Sequence, residues 1–204
     1  KTIAQKVQLP EGYYIDYGGQ FEAQQESSRL ILVLSIFSLL AIFIVLFAHF
    51  RSTGIALQVM LNIPLALVGS VIAVAITGGT FSVATMVGFI TLTGIASRNG
   101  IMMISHYIHL IKYEGEKFSK EMIIRGALER LVPVMMTALV AALALIPLSL
   151  NGQASGKEIL HPVAVVILGG LISSTFLALI VTPVVFYLYG EKALNKYLKE
   201  TATD

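Results

Sequence analysis

The 204-residue sequence contains no cysteine, which excludes disulfide bonds and thiolate metal sites and leaves the redox compartment open. Charge is also scarce, at 13% of residues where soluble proteins carry about 25%. Hydrophobic residues make up 56% of the chain, and the mean hydropathy is +0.81. Because the deficit in charge extends over most of the sequence, we expect lipid to be its main solvent. The net charge of +2 gives no general attraction to nucleic acid.

The first twenty residues have neither the basic segment nor the short apolar segment of a signal peptide. The chain opens without an initiating methionine in a soluble-looking segment, so we expect it to be a piece of a longer protein. Within that segment Tyr13, Ile15 and Tyr17 alternate with other residues. Alternation is typical of a strand, which we interpret as the last strand of an outside domain leading into the first helix.

Long uncharged stretches predict five membrane-spanning helices. A spanning helix needs about 20 apolar residues, and four stretches reach that length: 30–50, 52–97, 131–156 and 159–190. The second is long enough for two passes, divided by the turn-forming sequence GGTFS. The predicted helices therefore lie near 30–50, 54–77, 83–106, 132–150 and 162–189. They form an all-α bundle from 29 to 190, followed by a tail from 191 to 204.

The segment from His106 to Arg130 is amphipathic, with apolar residues at helical spacing and charged residues between them. It predicts a helix lying at the cytoplasmic membrane interface. An ordinary solvated helix in the connection fits the pattern equally well.

The placement of lysine and arginine indicates the orientation of the bundle. One side carries few of them: Lys1, Lys6, Arg29 and Lys157. The other side carries more: Arg51, Lys112, Lys117, Lys120, Arg125, Arg130, Lys192, Lys196 and Lys199. Because cytoplasmic loops are enriched in positive charge, we expect the N-terminus outside and the C-terminus in the cytoplasm. An odd number of passes agrees with that.

Arg98 lies about fifteen residues into the third predicted helix, and the apolar run continues past it through Ile104. An arginine near a helix centre costs about 2.5–3.5 kcal/mol on insertion scales, and such residues usually face the bundle interior and mark function. The alternative is that Arg98 extends to the cytoplasmic surface or forms a structural ion pair. The adjacent Asn99 could hold a partner group or a water, or simply join two helices.

Arg130 and Thr137 are seven residues apart, so they share a helix face with Thr137 about 10 Å deeper in the membrane. Taken alone, Arg130 is a cytoplasmic anchor and Thr137 bonds back to its own helix. Together with Arg98 on a neighbouring helix, they suggest a polar track.

Proline and small residues indicate where helices begin, bend and approach one another. Pro133 and Pro162 are expected at helix starts, where a missing N–H costs nothing. Pro64 and Pro183 are expected inside helices, which they should kink. The sequence GGLISST, with small residues at Gly169, Gly170, Ser173 and Ser174, predicts a face for close helix packing.

Candidate metal ligands do not form a set. His106 and His109 have a possible ligand spacing on one helix face, but no third ligand is near them. We therefore predict no metal site and no cofactor in this segment. None of the five predicted spans contains a carboxylate either. Because arginine does not titrate, the acid of a proton-driven protein would belong to another part of the polypeptide.

Several long motifs, in order, resemble the C-terminal end of resistance–nodulation–division (RND) efflux transporters. LTGIASRNGIMMISHY resembles the tenth transmembrane helix of the family, and RLVPVMMTALVAALALIPL resembles the eleventh. GKEILHPVAVVILGGLISSTFLALIVTPVVFYL is similar to the last loop and the twelfth helix, in wording closest to the heavy-metal branch. The resemblance covers essentially the whole chain, with 1–28 as the end of the periplasmic porter region.

This resemblance implies a trimeric inner-membrane pump that exchanges substrate for protons, joined to a periplasmic adaptor and an outer-membrane channel. Arg98 matches the charged relay position of the tenth helix, with Asn99 following it, and Arg130 and Thr137 match the polar pair of the eleventh. The acidic relay residues of the family belong to its fourth helix, outside this sequence. Heavy-metal members often carry a carboxylate or an apolar residue where this chain has Arg98. Exporters of drugs or lipids in the same superfamily, and a non-transporting scaffold, are the alternatives.

Overall fold

The computed structural model describes residues 20–79, 81–150 and 158–201, and within these ranges the chain is helical with no strand. The helices are α1 (Gln20–Phe50), α2 (Thr53–Met60), α3 (Asn62–Ile76), α4 (Val83–Lys112), α5 (Lys120–Leu150) and α6 (Leu160–Thr201). The predicted strand at 13–17 lies outside the described residues.

Among the described residues, five helical segments are long and apolar enough to cross a membrane, which confirms the predicted number. They are Gln24–Phe50, Thr53–Ile76, Val83–Lys112, Lys120–Leu150 and Leu160–Leu194. The second span combines α2 and α3, which are separated at Leu61. This break has a local cause, because Pro64 has no N–H for the carbonyl of Met60, and its ring crowds that carbonyl. Pro183 lies inside α6, as expected.

The predicted separation between an interfacial helix and the fourth spanning helix is absent. The connection after α4 occupies only residues 113–119, and the amphipathic residues from Lys120 onward form the first turns of a continuous α5. Pro133, expected at a helix start, instead lies inside α5. Its missing N–H leaves only the carbonyl of Glu129 without a helical partner. The ion pairs made by the preceding turns, described below, stabilise the helix on that side of the proline.

Helices α3 and α6 approach each other at glycine. A Cβ atom added to Gly169 would lie 2.7 Å from the backbone oxygen of Gly69 and would collide with Ala73. The close contact continues about one turn further along, where the Ser173 hydroxyl donates a hydrogen bond of 2.7 Å to the Leu65 carbonyl. The small residues of GGLISST therefore form a packing face, as the sequence predicts.

Helix α4 packs on the pair formed by α3 and α6, again at small residues. Gly88 lies against Val166, and Gly170 leaves space for the side chain of Leu92, which is fully buried. The Ser70 hydroxyl donates a hydrogen bond of 2.8 Å to the Val166 carbonyl and so joins α3 to α6 at the same level. These contacts fix both the height and the rotation of α4.

A buried polar contact joins the same three helices at the break before α3. The Thr182 hydroxyl donates a hydrogen bond of 2.9 Å to the side-chain oxygen of Asn62, and the Asn62 amide donates to the Val59 carbonyl at 3.2 Å. On α4, Gly100 leaves room for the Asn62 amide, because a Cβ there would lie 2.6 Å from its nitrogen. In hydrocarbon such groups need partners inside the protein, so this contact sets the register of the helices.

We predict that Gly169→Ala destabilises the protein by about 1–3 kcal/mol, because its methyl group would have to separate α3 from α6. Gly79→Ala is the control, since an added Cβ at Gly79 would come no closer than 3.6 Å to its neighbours. That change should leave stability unchanged or raise it by up to about 1 kcal/mol. Thermal unfolding of the full-length protein in detergent, followed by size-exclusion chromatography, measures both. Equal stability of the two variants would contradict the packing described here.

Candidate functional site

The start of α4 determines where its functional residues lie. Gly78 has a φ of +62°, which turns the chain after α3. Ser82 then caps α4, since its side chain accepts a hydrogen bond from the Thr85 amide at 3.3 Å. The Thr85 hydroxyl oxygen in return accepts one from the Ser82 amide at 2.8 Å. This capping box fixes the first turn of a 30-residue helix and places Arg98 near its middle.

Two faces of α4 have different environments. Leu92, Ala96 and Asn99 are buried between helices, with Asn99 7% exposed. Arg98 is exposed within the described chain, on the face that turns away from the contact with α3. The long cationic side chain is thus excluded from the tightly packed side of α4 and directed to its open side.

The open side is an intramembrane cavity of about 410 Å³ between α4, α5 and α6. Arg98, Asn99 and Thr137 all line it, so the structure brings together three of the four predicted relay residues. The remaining lining residues are Thr91, Gly94 and Ile95 from α4, Ala141 from α5 and Leu171 from α6. Gly94 and Ala141 are small, which leaves space beside the guanidinium for another group.

No carboxylate within the described ranges forms an ion pair with Arg98. The Thr137 hydroxyl donates a hydrogen bond of 2.9 Å to the Val134 carbonyl of its own helix, and its oxygen remains able to accept one. The cavity therefore offers a fixed positive charge, an amide and a hydroxyl. This set of groups can bind a carboxylate or orient water molecules, but it cannot itself release a proton.

Arg130 does not line this cavity. Its guanidinium instead lies 3.4 Å from Nδ1 of His106, and Nε2 of the same imidazole lies 2.7 Å from the Glu129 carboxylate. Arg130 is thus part of a second polar group near the end of α4, two helical turns from Thr137. The continuous polar track predicted from Arg130 through Thr137 to Arg98 is separated into two clusters.

The second cluster continues into the connection between α4 and α5. Arg125 contacts the carboxylates of Glu114 and Glu116 at 2.7 Å and that of Glu129 at 2.8 Å. Single exposed ion pairs contribute little to stability. Here one guanidinium holds three carboxylates, which fixes the 113–119 segment against the first turns of α5. The cluster explains why α5 begins well before its apolar part.

Among the described residues, no group of three histidine, aspartate or glutamate side chains could enclose a metal ion. The rings of His106 and His109 stack, with their centroids 6.4 Å apart. His106 is engaged by Glu129 and Arg130 rather than paired with His109 toward a common ligand.

One polar residue of the cavity, Thr91, is not among the residues predicted from the sequence. It lies seven residues before Arg98 and therefore on the same face of α4, about 10 Å nearer the start of the helix. The seven-residue spacing that relates Arg130 to Thr137 also relates Thr91 to Arg98 and was the available signal. Its hydroxyl donates to the Val87 carbonyl at 2.9 Å, as Thr137 does to its own helix.

Several proteins are similar to this chain. Protein HelA of Legionella pneumophila is 42% identical over 189 residues, which are 93% of this chain and 18% of HelA. Cobalt-zinc-cadmium resistance protein CzcA of Cupriavidus metallidurans is 40% identical over 191 residues, covering 94% of this chain and 18% of CzcA. Cation efflux system protein CusA of Escherichia coli (strain K12) is 33% identical over 197 residues, covering 92% of this chain and 19% of CusA.

A crystal structure of a heavy metal efflux pump superposes on this fold with a TM-score of 0.76 and 36% identity, covering 91% of this chain and 18% of the pump. The chain thus spans about a fifth of the length of the relatives it matches. Residues 1–190 match the AcrB/AcrD/AcrF family. This chain therefore belongs to the AcrB/AcrD/AcrF family of RND transporters and is part of a multi-pass membrane protein.

Proposed function

We propose that this chain is the C-terminal membrane part of a proton-driven exporter of heavy-metal cations. The observation that carries the proposal is the identity of 33–42% to HelA, CzcA and CusA over nearly the whole chain, two of which are named for metal resistance or cation efflux. A transporter of this kind changes conformation and makes or breaks no bond in its cargo. The residues of the Arg98 cavity fit that role, because they supply a fixed charge and packing surfaces rather than the acid and the nucleophile of a catalytic site.

Arg98 is proposed as the fixed charge of the proton-coupling site. An ionised carboxylate from the rest of the polypeptide would enter the cavity and pair with the guanidinium. Protonation of that carboxylate would remove the pair, leaving Arg98 to find water or another acceptor. An uncompensated charge in a low-dielectric site is costly, so each proton would shift the balance between two helix arrangements. Asn99 and Thr137 would hold the carboxylate or the water that replaces it.

Arg130 is proposed to act in the same relay, although it lies in the second polar cluster, beside the 113–119 connection. His106 and Glu129 hold it there in this arrangement. Reaching the Arg98 cavity would require Arg130 to leave these partners. Its relay role therefore belongs to a conformational change rather than to the arrangement described here.

The orientation follows from the placement of lysine and arginine. The N-terminus is proposed to lie in the periplasm, with 1–28 ending the porter region, and the C-terminal tail in the cytoplasm. The first turns of α5 would lie at the cytoplasmic membrane interface. Proposed partners are the N-terminal part of the same transporter, two further copies in a trimer, a periplasmic adaptor and an outer-membrane channel. The bilayer surrounds the five spans.

We predict that Arg98→Ala abolishes export by the full-length protein, because no charge would remain to pair with the acid. Arg98→Lys should retain part of the activity, since a lysine keeps the charge but loses the planar donor geometry. Lys117→Ala, at an exposed lysine of the 113–119 connection, is the control. Export is measured together with the amount of protein in the membrane. Normal export by a normally inserted Arg98→Ala protein would exclude the role.

We predict that Thr91→Val and Thr137→Val each slow proton-coupled export several-fold, because each removes a hydroxyl from the Arg98 cavity. Thr93→Val is the matched control. Its hydroxyl also bonds back to α4, to the Phe89 carbonyl at 2.9 Å, but it does not line this cavity. Proton flux into proteoliposomes, followed with a pH-sensitive dye, measures the effect. An equal loss in Thr93→Val would indicate a general packing effect.

We predict that the full-length transporter raises the tolerance of a metal-sensitive bacterial strain to cobalt, zinc or cadmium ions and lowers their content in the cell. The Arg98→Ala protein, expressed at the same level, is the control. Unchanged tolerance to these ions would contradict metal export. If tolerance to organic compounds rises instead, the second function, export of organic compounds, would replace metal export.

A further inference from the structure

A second polar cavity, of about 180 Å³, lies where α1 and α4 end, beside the last turns of α6. Its polar lining consists of His49, Ser105, His109, Lys112, Tyr113 and Tyr197. It is smaller than the roughly 300–1,000 Å³ of a typical site for a small organic molecule. A single charged group of a larger molecule fits this size better than a whole metabolite.

Lys112 gives the cavity its positive charge. Its ammonium nitrogen lies 5.8 Å from the ring centroid of Tyr113 and 5.9 Å from that of Tyr197, in the range of cation–π contacts. No carboxylate lines the cavity or pairs with Lys112 in the described part of the chain. The nearby acids Glu114 and Glu116 are both held by Arg125 instead. The lysine is thus positioned by aromatic faces without being neutralised.

Neighbouring rings fix the other donors of the cavity. The His109 ring lies 5.0 Å from that of Tyr113, and the His49 ring makes an edge-on contact with Phe50 at 4.6 Å. Each imidazole can donate a hydrogen bond to an anionic oxygen, as can the Ser105 hydroxyl. The carbonyl ends of α1 and α4 bring partial negative charge, which Lys112 in the last turn of α4 offsets. With the carbonyl ends offset, the hydrogen-bond donors and the absence of a lining carboxylate leave the cavity suited to an anionic oxygen.

We propose that this cavity binds the phosphate headgroup of an anionic phospholipid. Two membrane-spanning helices end at the walls of this cavity, at Phe50 and Lys112. The cavity therefore lies at the level of the lipid headgroups. Tyrosine is enriched at that level, and basic pockets between spanning helices bind anionic lipid headgroups. The acyl chains would lie along the apolar surface of α1, where most large side chains are exposed. This proposal goes beyond the export function and does not depend on which substrate is carried.

The test uses the full-length protein, purified and stripped of lipid, with phosphatidylglycerol and phosphatidylcholine as probes in native mass spectrometry. We expect the wild type to prefer phosphatidylglycerol. Lys112→Gln should weaken its binding about fivefold, the effect of one basic residue near a membrane surface, and leave phosphatidylcholine unchanged. Lys112→Arg should restore the preference. Lys120→Gln, which removes an exposed lysine of α5 outside the cavity, should bind both lipids like the wild type.

Three results would overturn the proposal. The first is an unchanged preference for phosphatidylglycerol in a folded Lys112→Gln protein, and the second is an equal loss in Lys120→Gln. The third is displacement of phosphatidylglycerol from the wild type, but not from Lys112→Gln, by millimolar inorganic phosphate, which would identify a soluble anion as the occupant. If Lys112→Gln does not fold, His109→Phe provides the same comparison, because it removes a hydrogen-bond donor of the cavity and keeps an aromatic ring beside Tyr113.

Discussion

In lipid, a helix gains little by burying one apolar side chain against another, so helices are held where their backbones approach closely and their polar groups find partners. Here that place is the contact of Gly69 with Gly169 between α3 and α6. The bonds from Ser70 and Ser173 to carbonyls of the opposite helix lie beside it. Helix α4 then packs on this pair through Gly88, and it could not reach the same position if α3 and α6 were further apart.

The position of α4 explains how an arginine is accommodated within a membrane span. Contact with α3 and α6 occupies one side of α4, including Leu92 and Asn99. The other side faces α5 across a cavity in which Gly94 and Ala141 leave space. Arg98 lies on that side, where its guanidinium meets polar groups and can accept a partner. Its neighbours Ser97 and Asn99 are both buried, although Asn99 still lines the cavity beside Arg98.

Much of this fold could be predicted because lipid imposes simple rules on sequence. The length of uncharged runs gave five spans, and the small residues of GGLISST identified the close contact of α6. The boundary of α5 could not be predicted, because Pro133 is typical of a helix start and the ion pairs that continue the helix before it involve residues far apart in the sequence. Similarly, the separation of Arg130 from Thr137 depends on His106, which only the folded chain brings near. Spacing on one helix identifies a shared face, but it does not identify which neighbour each side chain meets.

Different groups compensate the charges of Arg98, Arg125 and Arg130. Under the proposed function, this difference indicates which of them would couple to a proton. Arg125 is neutralised by three carboxylates within the described residues, and Arg130 contacts the imidazole of His106. Both lie near the helix ends, where water can replace a lost partner at little cost. Arg98 lies midway along its span, where water is scarce, so the presence or absence of an acid partner there carries the largest free-energy difference. Under the proposed function, a proton that neutralised this partner would therefore move helices, whereas the same event beside Arg125 would only rearrange an exposed ion pair.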